Sequence, residues 1–274
     1  MSDTGPPRRP WDPDLRATLC TACATPFRAP LDGGAEPCPA CGAKNELQPR
    51  DPRPVRFDAP ADETQRLERL RAQDGKPLLP PPGLEPFCDG GVLLESRSPE
   101  AMQAWQDARR SLVTSGDPIA AERLVFLTLV LENRPKKRGG PLARRAFLES
   151  GLDAATSFAI LRQDFLGRLS RAACRAGDLR SAERWLELCD PRPDDLPADS
   201  SWRVSRAQLD TARRDFPAVL RVLGEDEHAV PFQDAMDIYA TMYRAHALER
   251  TGRLDDAVRQ LTRRMKRRAD RKMV

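Results

Sequence analysis

The spacing of apolar positions changes character near Pro99. Downstream of it the period is helical. "SPEAMQAWQDARRSLVTSGDP" sets Met102, Trp105, Ala108 and Leu112 on one face, with Ser98 as N-cap and Pro99 at the first helical position. "PIAAERLVFLTLVLENR" is apolar nearly all round, which predicts the most buried helix. "RPKKRGGP", Arg134 to Pro141, breaks the pattern as a surface loop. A short helix over "PLARRAFLESG" follows, then a long one carrying Phe158, Ile160, Leu161, Phe165 and Leu169. The remaining segments come as helix pairs joined by short turns, the layout of stacked hairpins.

Upstream of Pro99 the pattern is weak. Residues 1–17 have closely spaced prolines and no periodicity, so they read as a disordered tail with Trp11 as its one large aromatic. Residues 50–97 read as a Pro-rich linker with one short helix, capped by Asp62 or Thr64 and carrying Leu67 and Leu70. Within it, "PLLPPPGLEP" favours a stiff polyproline II spacer, and Cys88 stands as an ordinary thiol.

The helical part repeats itself. "RAACRAGDLRSAERWLEL", "AQLDTARRDFPAVLRVLG" and "HALERTGRLDDAVRQLTR" align without gaps, matching Ala182, Ala218 and Ala257. A looser copy holds Gly116, Asp117 and Ala121. "AGDLRSAERWL" and "TGRLDDAVRQL" resemble the tetratricopeptide repeat family in their small-polar turn, their alanine and the bulky residue that follows. Residues 98–274 are thus expected to form a degenerate, tetratricopeptide-like α-solenoid, with a closed helical bundle as the alternative. The resemblance implies recognition of a protein segment in a groove lined by inner helices.

Four of the seven cysteines lie within residues 18–49 as Cys20-x2-Cys23 and Cys38-x2-Cys41. Two such pairs can complete a tetrahedral thiolate site with no position open for substrate. Pro39 and Gly42 suit the second knuckle, while Ala24 stands where glycine would in the first. Between the pairs, Phe27 and Leu31 flank "DGG", a hairpin-turn signal, and a third strand is expected near Asn45 to Leu47. The segment resembles a zinc ribbon, which implies structural Zn2+; iron in a rubredoxin-like site and a redox dithiol are the alternatives.

Composition narrows the function classes. With 31% charged and 5% aromatic residues the fold should be mainly α, with a small N-terminal β ribbon. The formal net charge of +4 gives no strong global field, so the basic run Arg263 to Lys272 is a local candidate for nucleic acid or an acidic partner. No apolar run suits a membrane span or signal peptide, and the cysteine usage fits a reducing cytoplasm. His228 and His246 lack ligand or catalytic partners at recognisable spacing, and no hydrolase, nucleotide or protease motif occurs. The expectation is a cytoplasmic, non-enzymatic adaptor, and the alternative is a nucleic-acid-associated regulator. The Arg, Ala and Pro bias fits a GC-rich bacterial genome.

Overall fold

The computed structural model describes residues 15–58, 62–73, 80–89, 92–93, 97–131, 140–226 and 229–271. The strands are β1 (Leu15–Leu19), β2 (Pro26–Pro30), β3 (Gly34–Pro37), β4 (Lys44–Leu47), β5 (Cys88–Asp89) and β6 (Val92–Leu93). The helices are α1 (Glu63–Gln73), α2 (Ser98–Ser115), α3 (Pro118–Leu131), α4 (Gly140–Ala154), α5 (Ala159–Arg175), α6 (Leu179–Glu187), α7 (Leu196–Ala212), α8 (Phe216–Leu223), α9 (Asp234–Arg250) and α10 (Leu254–Arg271). The protein is mainly helical, as its composition predicts. Contacts divide it into two compact units, one from Met1–Asp51 and Pro80–Thr156, the other from Pro52–Leu79 and Ser157–Val274.

In the first unit, β1 pairs antiparallel with β2 from Leu15↔Pro30 to Leu19↔Pro26, and β3 pairs with β4 from Gly34↔Leu47 to Pro37↔Lys44. The sequence placed a hairpin turn at Asp32 to Gly34, yet the strands on either side of it do not pair with each other. Each cysteine pair instead turns its own hairpin, and Asp32-Gly33 carries the chain from one to the next. Gly33 takes φ 83°, and a Cβ there would lie 2.4 Å from the Leu47 carbonyl oxygen. Only glycine fits.

Leu15, Arg16 and Ala17, read from sequence as the end of a tail, form most of β1. The reason lies 130 residues away. Helix α4 covers the free edge of the strand, where Glu149 Oε2 accepts from the Ala17 amide at 3.2 Å and Ser150 Oγ accepts from the Leu19 amide at 3.1 Å. An uncovered strand edge leaves such amides unpaired. Arg16, 1% exposed, donates to Asp153 at 3.0 Å and to the Pro30 and Gln48 carbonyls at 2.9 and 2.7 Å. Arg50 donates to Glu149 and Asp153 at 2.7 Å each, and Arg145 pairs with Glu149 from within α4. The ribbon is latched to a helix by buried charge.

Behind this latch α2 and α3 pack as a pair. Trp105 is fully buried, donates its indole N–H to Thr128 Oγ1 at 2.9 Å, and packs on Phe147 with centroids 4.3 Å apart. Ser98 lies inside α2 and Arg97 takes the N-cap position, while Ala101 replaces Met102 on the buried face. Leu124, Leu127 and Leu131 of α3 are buried, in keeping with its all-round apolar pattern. Of the expected polyproline spacer, Pro80 to Pro86 packs in this unit: Leu84 is buried and Arg123 donates to the Pro82 carbonyl at 2.8 Å. Residues 77–79 of that run, Trp11, His228 and most of the Arg134 to Pro141 loop lie outside the described residues; Gly140 and Pro141 begin α4.

In the second unit α1 forms where the sequence placed a helix, and Asp62 Oδ1 accepts from the Thr64 amide at 2.9 Å. It is not part of a free linker. Arg66 is fully buried on α7, bonded to Asp199 and to the Pro193 carbonyl, and Gln73 accepts from the Leu196 amide at 2.9 Å. The stretch before it is held too, by Val55 N–H to the Leu188 carbonyl and Phe57 N–H to Asp190, both at 2.8 Å.

Three helix pairs follow: α5 with α6, α7 with α8, α9 with α10. First helices also pack on one another in order, α5 on α7 and α7 on α9. Where α5 and α7 cross, Gly167 sits so close that a Cβ would meet Ser201 Oγ at 2.7 Å. The three intra-pair turns share one hydrogen-bond pattern, in which the amides of Asp178, Asp215 and Arg253 donate to the carbonyls of Ala173, Asp210 and Leu248. These are bonds from a residue to the fifth before it, closing a left-handed cap. The left-handed residue is Gly177, Arg214 or Gly252. So the middle copy is offset by one residue from the ungapped alignment: Arg214 takes the glycine place, and Val219, not Ala218, is the counterpart of Ala182 and Ala257. All three counterparts are buried at 3% or less. Of the predicted α5 face, Leu161, Phe165 and Leu169 are buried, but Ile160, in the first turn, is half exposed and Leu166 replaces it.

Candidate metal centre

The four cysteine sulfurs converge as the spacing predicts. All lie within 4.8 Å of one another, with Cys20 to Cys41 and Cys23 to Cys38 each at 3.7 Å. A tetrahedral metal with bonds of about 2.3 Å requires sulfur pairs about 3.8 Å apart. The cluster therefore fits one four-coordinate ion and is consistent with zinc.

Two equivalent turns build it. In the first, Cys20 N–H donates to the Thr25 carbonyl (3.0 Å), Ala24 N–H to the Cys20 carbonyl (3.0 Å) and Ala22 N–H points at Cys20 Sγ (3.4 Å). In the second, Cys38 N–H donates to Ala43, Gly42 N–H to the Cys38 carbonyl, both at 2.9 Å, and Ala40 N–H points at Cys38 Sγ at 3.4 Å. Ala24 and Gly42 occupy the same place with φ 58° and 72°. Ala24 thus adopts the conformation a glycine would take, and the knuckle closes at a cost in backbone strain.

Burial splits the ligands. Cys20 and Cys38 are buried while Cys23 and Cys41 face solvent. The Thr25 hydroxyl, 3.2 Å from Cys23 Sγ, and its backbone hold the Cys23 thiol down to about 6. At Cys41 a hydrogen bond from the Ala43 backbone amide lowers the pKa, but hydrogen bonding with the crowded cysteine sulfurs, Cys23 foremost, outweighs it and pushes the thiol up to about 12. Four sulfurs this close cannot all carry charge alone; a bound dication resolves the conflict and releases the remaining protons.

The supporting shell was not legible beforehand. Asn45, 1% exposed, accepts from the Thr21 amide at 2.9 Å, donates to the Ala43 carbonyl at 2.8 Å and points its amide at Cys20 Sγ, 3.8 Å away. One side chain thereby ties both knuckles together. The sequence marked Asn45 only as a strand position, although a buried amide one turn after a CxxC is the signal that could have found it. Arg109 of α2 lies behind the same cluster over the Trp105 ring, 5.9 Å from its centroid, where burial pushes its pKa down and its charge reaches Cys20.

The other singled-out residues stand apart from this centre. Cys189 is buried, which raises its thiol pKa, and burial likewise pushes Cys174 up to about 11. Cys88 has a described backbone only. His246 stacks edge-on to Phe216 at 5.4 Å, half exposed. On α9, exposed Tyr239 and half-buried Tyr243 lie one helical turn apart. Burial raises the Tyr243 phenol pKa, while Arg175 and Arg171 pull it down. From the basic C-terminal run, Arg263 and Lys266 are exposed, and the side chains beyond Lys266 lie outside the described residues.

No described helix is long and apolar enough to cross a membrane. No protein-family model, curated protein or solved structure matches the chain.

Proposed function

We propose that the protein is a non-enzymatic adaptor: a structural zinc ion holds the N-terminal ribbon, and a tetratricopeptide-like stack of helix pairs receives a segment of a partner protein. The observation that carries this reading is the repeated arrangement of α5, α7 and α9, which pack on one another in order through turns of shared geometry; Tyr239 and Tyr243 lie one helical turn apart on α9. Aromatic and arginine side chains dominate binding hot spots. A zinc bound by four thiolates supplies folding energy and keeps no site for substrate.

The test is affinity capture from the native host with the full chain, because a cut at Pro99 would strip the ribbon from α4. A protein recovered specifically, and lost on Tyr239→Ala plus Tyr243→Ala, supports the groove. Recovery of nothing specific overturns it. The exposed Arg259, Arg263 and Lys266 on α10 favour a second reading, in which nucleic acid is the ligand. Nuclease-sensitive recovery, with salt-dependent polyanion binding lost when these residues are neutralised, would establish that reading instead.

A further inference from the structure

Ten large apolar side chains are exposed among the described residues, and seven of them fall on α9 and α10: Ile238, Tyr239, Met242, Leu254, Val258, Leu261 and Met265. Scattered exposed apolar residues need no explanation, but a continuous face does. Six of these form one. Asp237 and Arg264 pair between the two helices and so fix which sides meet. One residue further along a helix turns by about 100°. In an antiparallel pair, the steps from Asp237 to Ile238 and from Arg264 to Met265 turn to the same side. Met242 likewise follows buried Thr241, and Val258 and Leu261 follow buried Ala257 and Gln260.

This is the side on which a further helix pair would stack. Helix α9 packs on α7 and α8, and the chain provides no described pair beyond α10. What covers it can be read from the stripe itself. Leu254, Val258, Leu261 and Met265 are spaced by four, three and four residues, an order that is unchanged on reversal. A two-fold axis near residues 259–260 would lay Leu254 on Met265 and Val258 on Leu261, twice over. Charge agrees with that direction. Asp255, about a quarter turn from the stripe, opens the helix, and Lys266 on the same flank lies toward its other end. Antiparallel pairing brings Asp255 to the Lys266 end of the partner helix at both ends, whereas parallel pairing sets like ends together.

We infer that a second copy of this chain covers the face, α10 packing antiparallel against α10 in an isologous two-fold interface. Ile238 and Met242 widen the contact beside the central stripe. The interface lies apart from the Tyr239 and Tyr243 surface assigned to a partner protein, so either assignment can fail alone.

Sedimentation velocity on the full chain over a range of concentrations tests it, with Val258→Glu, Leu261→Lys and their equimolar mixture beside the unaltered protein. The unaltered chain should double its mass as concentration rises, and each variant alone should stay monomeric with unchanged far-UV circular dichroism. Mixing the two variants should restore the dimer, because the introduced acid then meets the introduced base. A monomer at every concentration, or a dimer indifferent to both substitutions, overturns the interface. Failure of the mixture to associate overturns the antiparallel register.

Discussion

Arg66 donates to Asp199 at 3.0 Å with neither side chain exposed to solvent, and this bond joins a helix from the proline-rich segment to the first helix of the second repeat pair. Asp199 is held from its other side by Arg203 at 2.8 Å. A buried pair adds little net stability when formed, but losing one partner leaves a bare charge in the interior. Arg66→Met or Asp199→Leu should each cost about 3–5 kcal/mol, and the double substitution should cost less than the sum. Urea unfolding of all four proteins closes the cycle. Additive losses would show that the bond does not act as a unit.

Glu149 supports a sharper prediction because it serves three partners: Arg50, Arg145 and the Ala17 amide. Glu149→Gln should free the β1 edge while leaving the cysteines in place. Hydrogen exchange at the Ala17 and Leu19 amides should rise by at least tenfold, with one metal still bound per chain. Unchanged protection there would mean that the strand edge is held by something other than the latch.

At the metal centre, purified protein should carry one zinc per chain, and Cys38→Ser should carry none. Asn45→Ala should keep all four ligands yet bind zinc about 10- to 100-fold more weakly, as loss of an orienting partner does. Competition with a chromophoric chelator measures this. Affinity should fall as pH falls, since every thiol must lose its proton to bind. Iron in place of zinc would appear in elemental analysis and as visible absorption.

Among the described residues, two non-glycines in the left-handed region invite replacement. Ala24 (φ 58°) and Arg214 (φ 62°) each carry about 1–2 kcal/mol of backbone strain, offset in part by the extra freedom glycine brings to the unfolded chain. Ala24→Gly and Arg214→Gly should therefore each stabilise by up to about 1 kcal/mol. Gly33→Ala should do the reverse, because its Cβ has no room. Thermal unfolding ranks the three.

Glu63 gives the pH dependence. Its bond to Arg66 holds its carboxyl below the usual carboxylate range, helped by Arg192 and Arg203. A depressed folded pKa stabilises the native state above the ordinary carboxylate pKa, and that contribution disappears as pH falls through the depressed value. Glu63 is half exposed, so screening limits it to under about 1 kcal/mol. Glu63→Gln should be less stable at neutral pH, with the gap closing on acidification in urea unfolding at stepped pH.

What the sequence made legible was local. Two CxxC pairs at ligand spacing announced the cluster, because adjacent thiols in a tight turn need little from the rest of the chain. Helical periodicity placed α2 to α10, since each buries a face of its own. Pairing over long range was hidden. Nothing near Arg16 or Arg50 points to Glu149 and Asp153, and the cover they provide turned a presumed tail into a strand. The hairpins were misjoined because "DGG" carries a stronger turn signal than the knuckles, although metal-ligand turns reverse the chain themselves. The one-residue offset in the middle repeat was hidden for a similar reason: Arg214 and Asp215 stand where the other copies have their glycine turn, and Ala218, one place before Val219, offered a false match to the repeated spacing of alanine.

The latch between β1 and α4 also sets an order of events during synthesis. Ala17 and Glu149 are 132 residues apart, so at ribosomal speeds the cysteines leave the exit tunnel on the order of ten seconds before their covering helix. A nascent chain stalled between them should already hold zinc in its knuckles while the outer edge of β1 stands open. For that interval, metal capture and protection from edge-to-edge association are separate achievements, and only the arrival of Glu149 unites them.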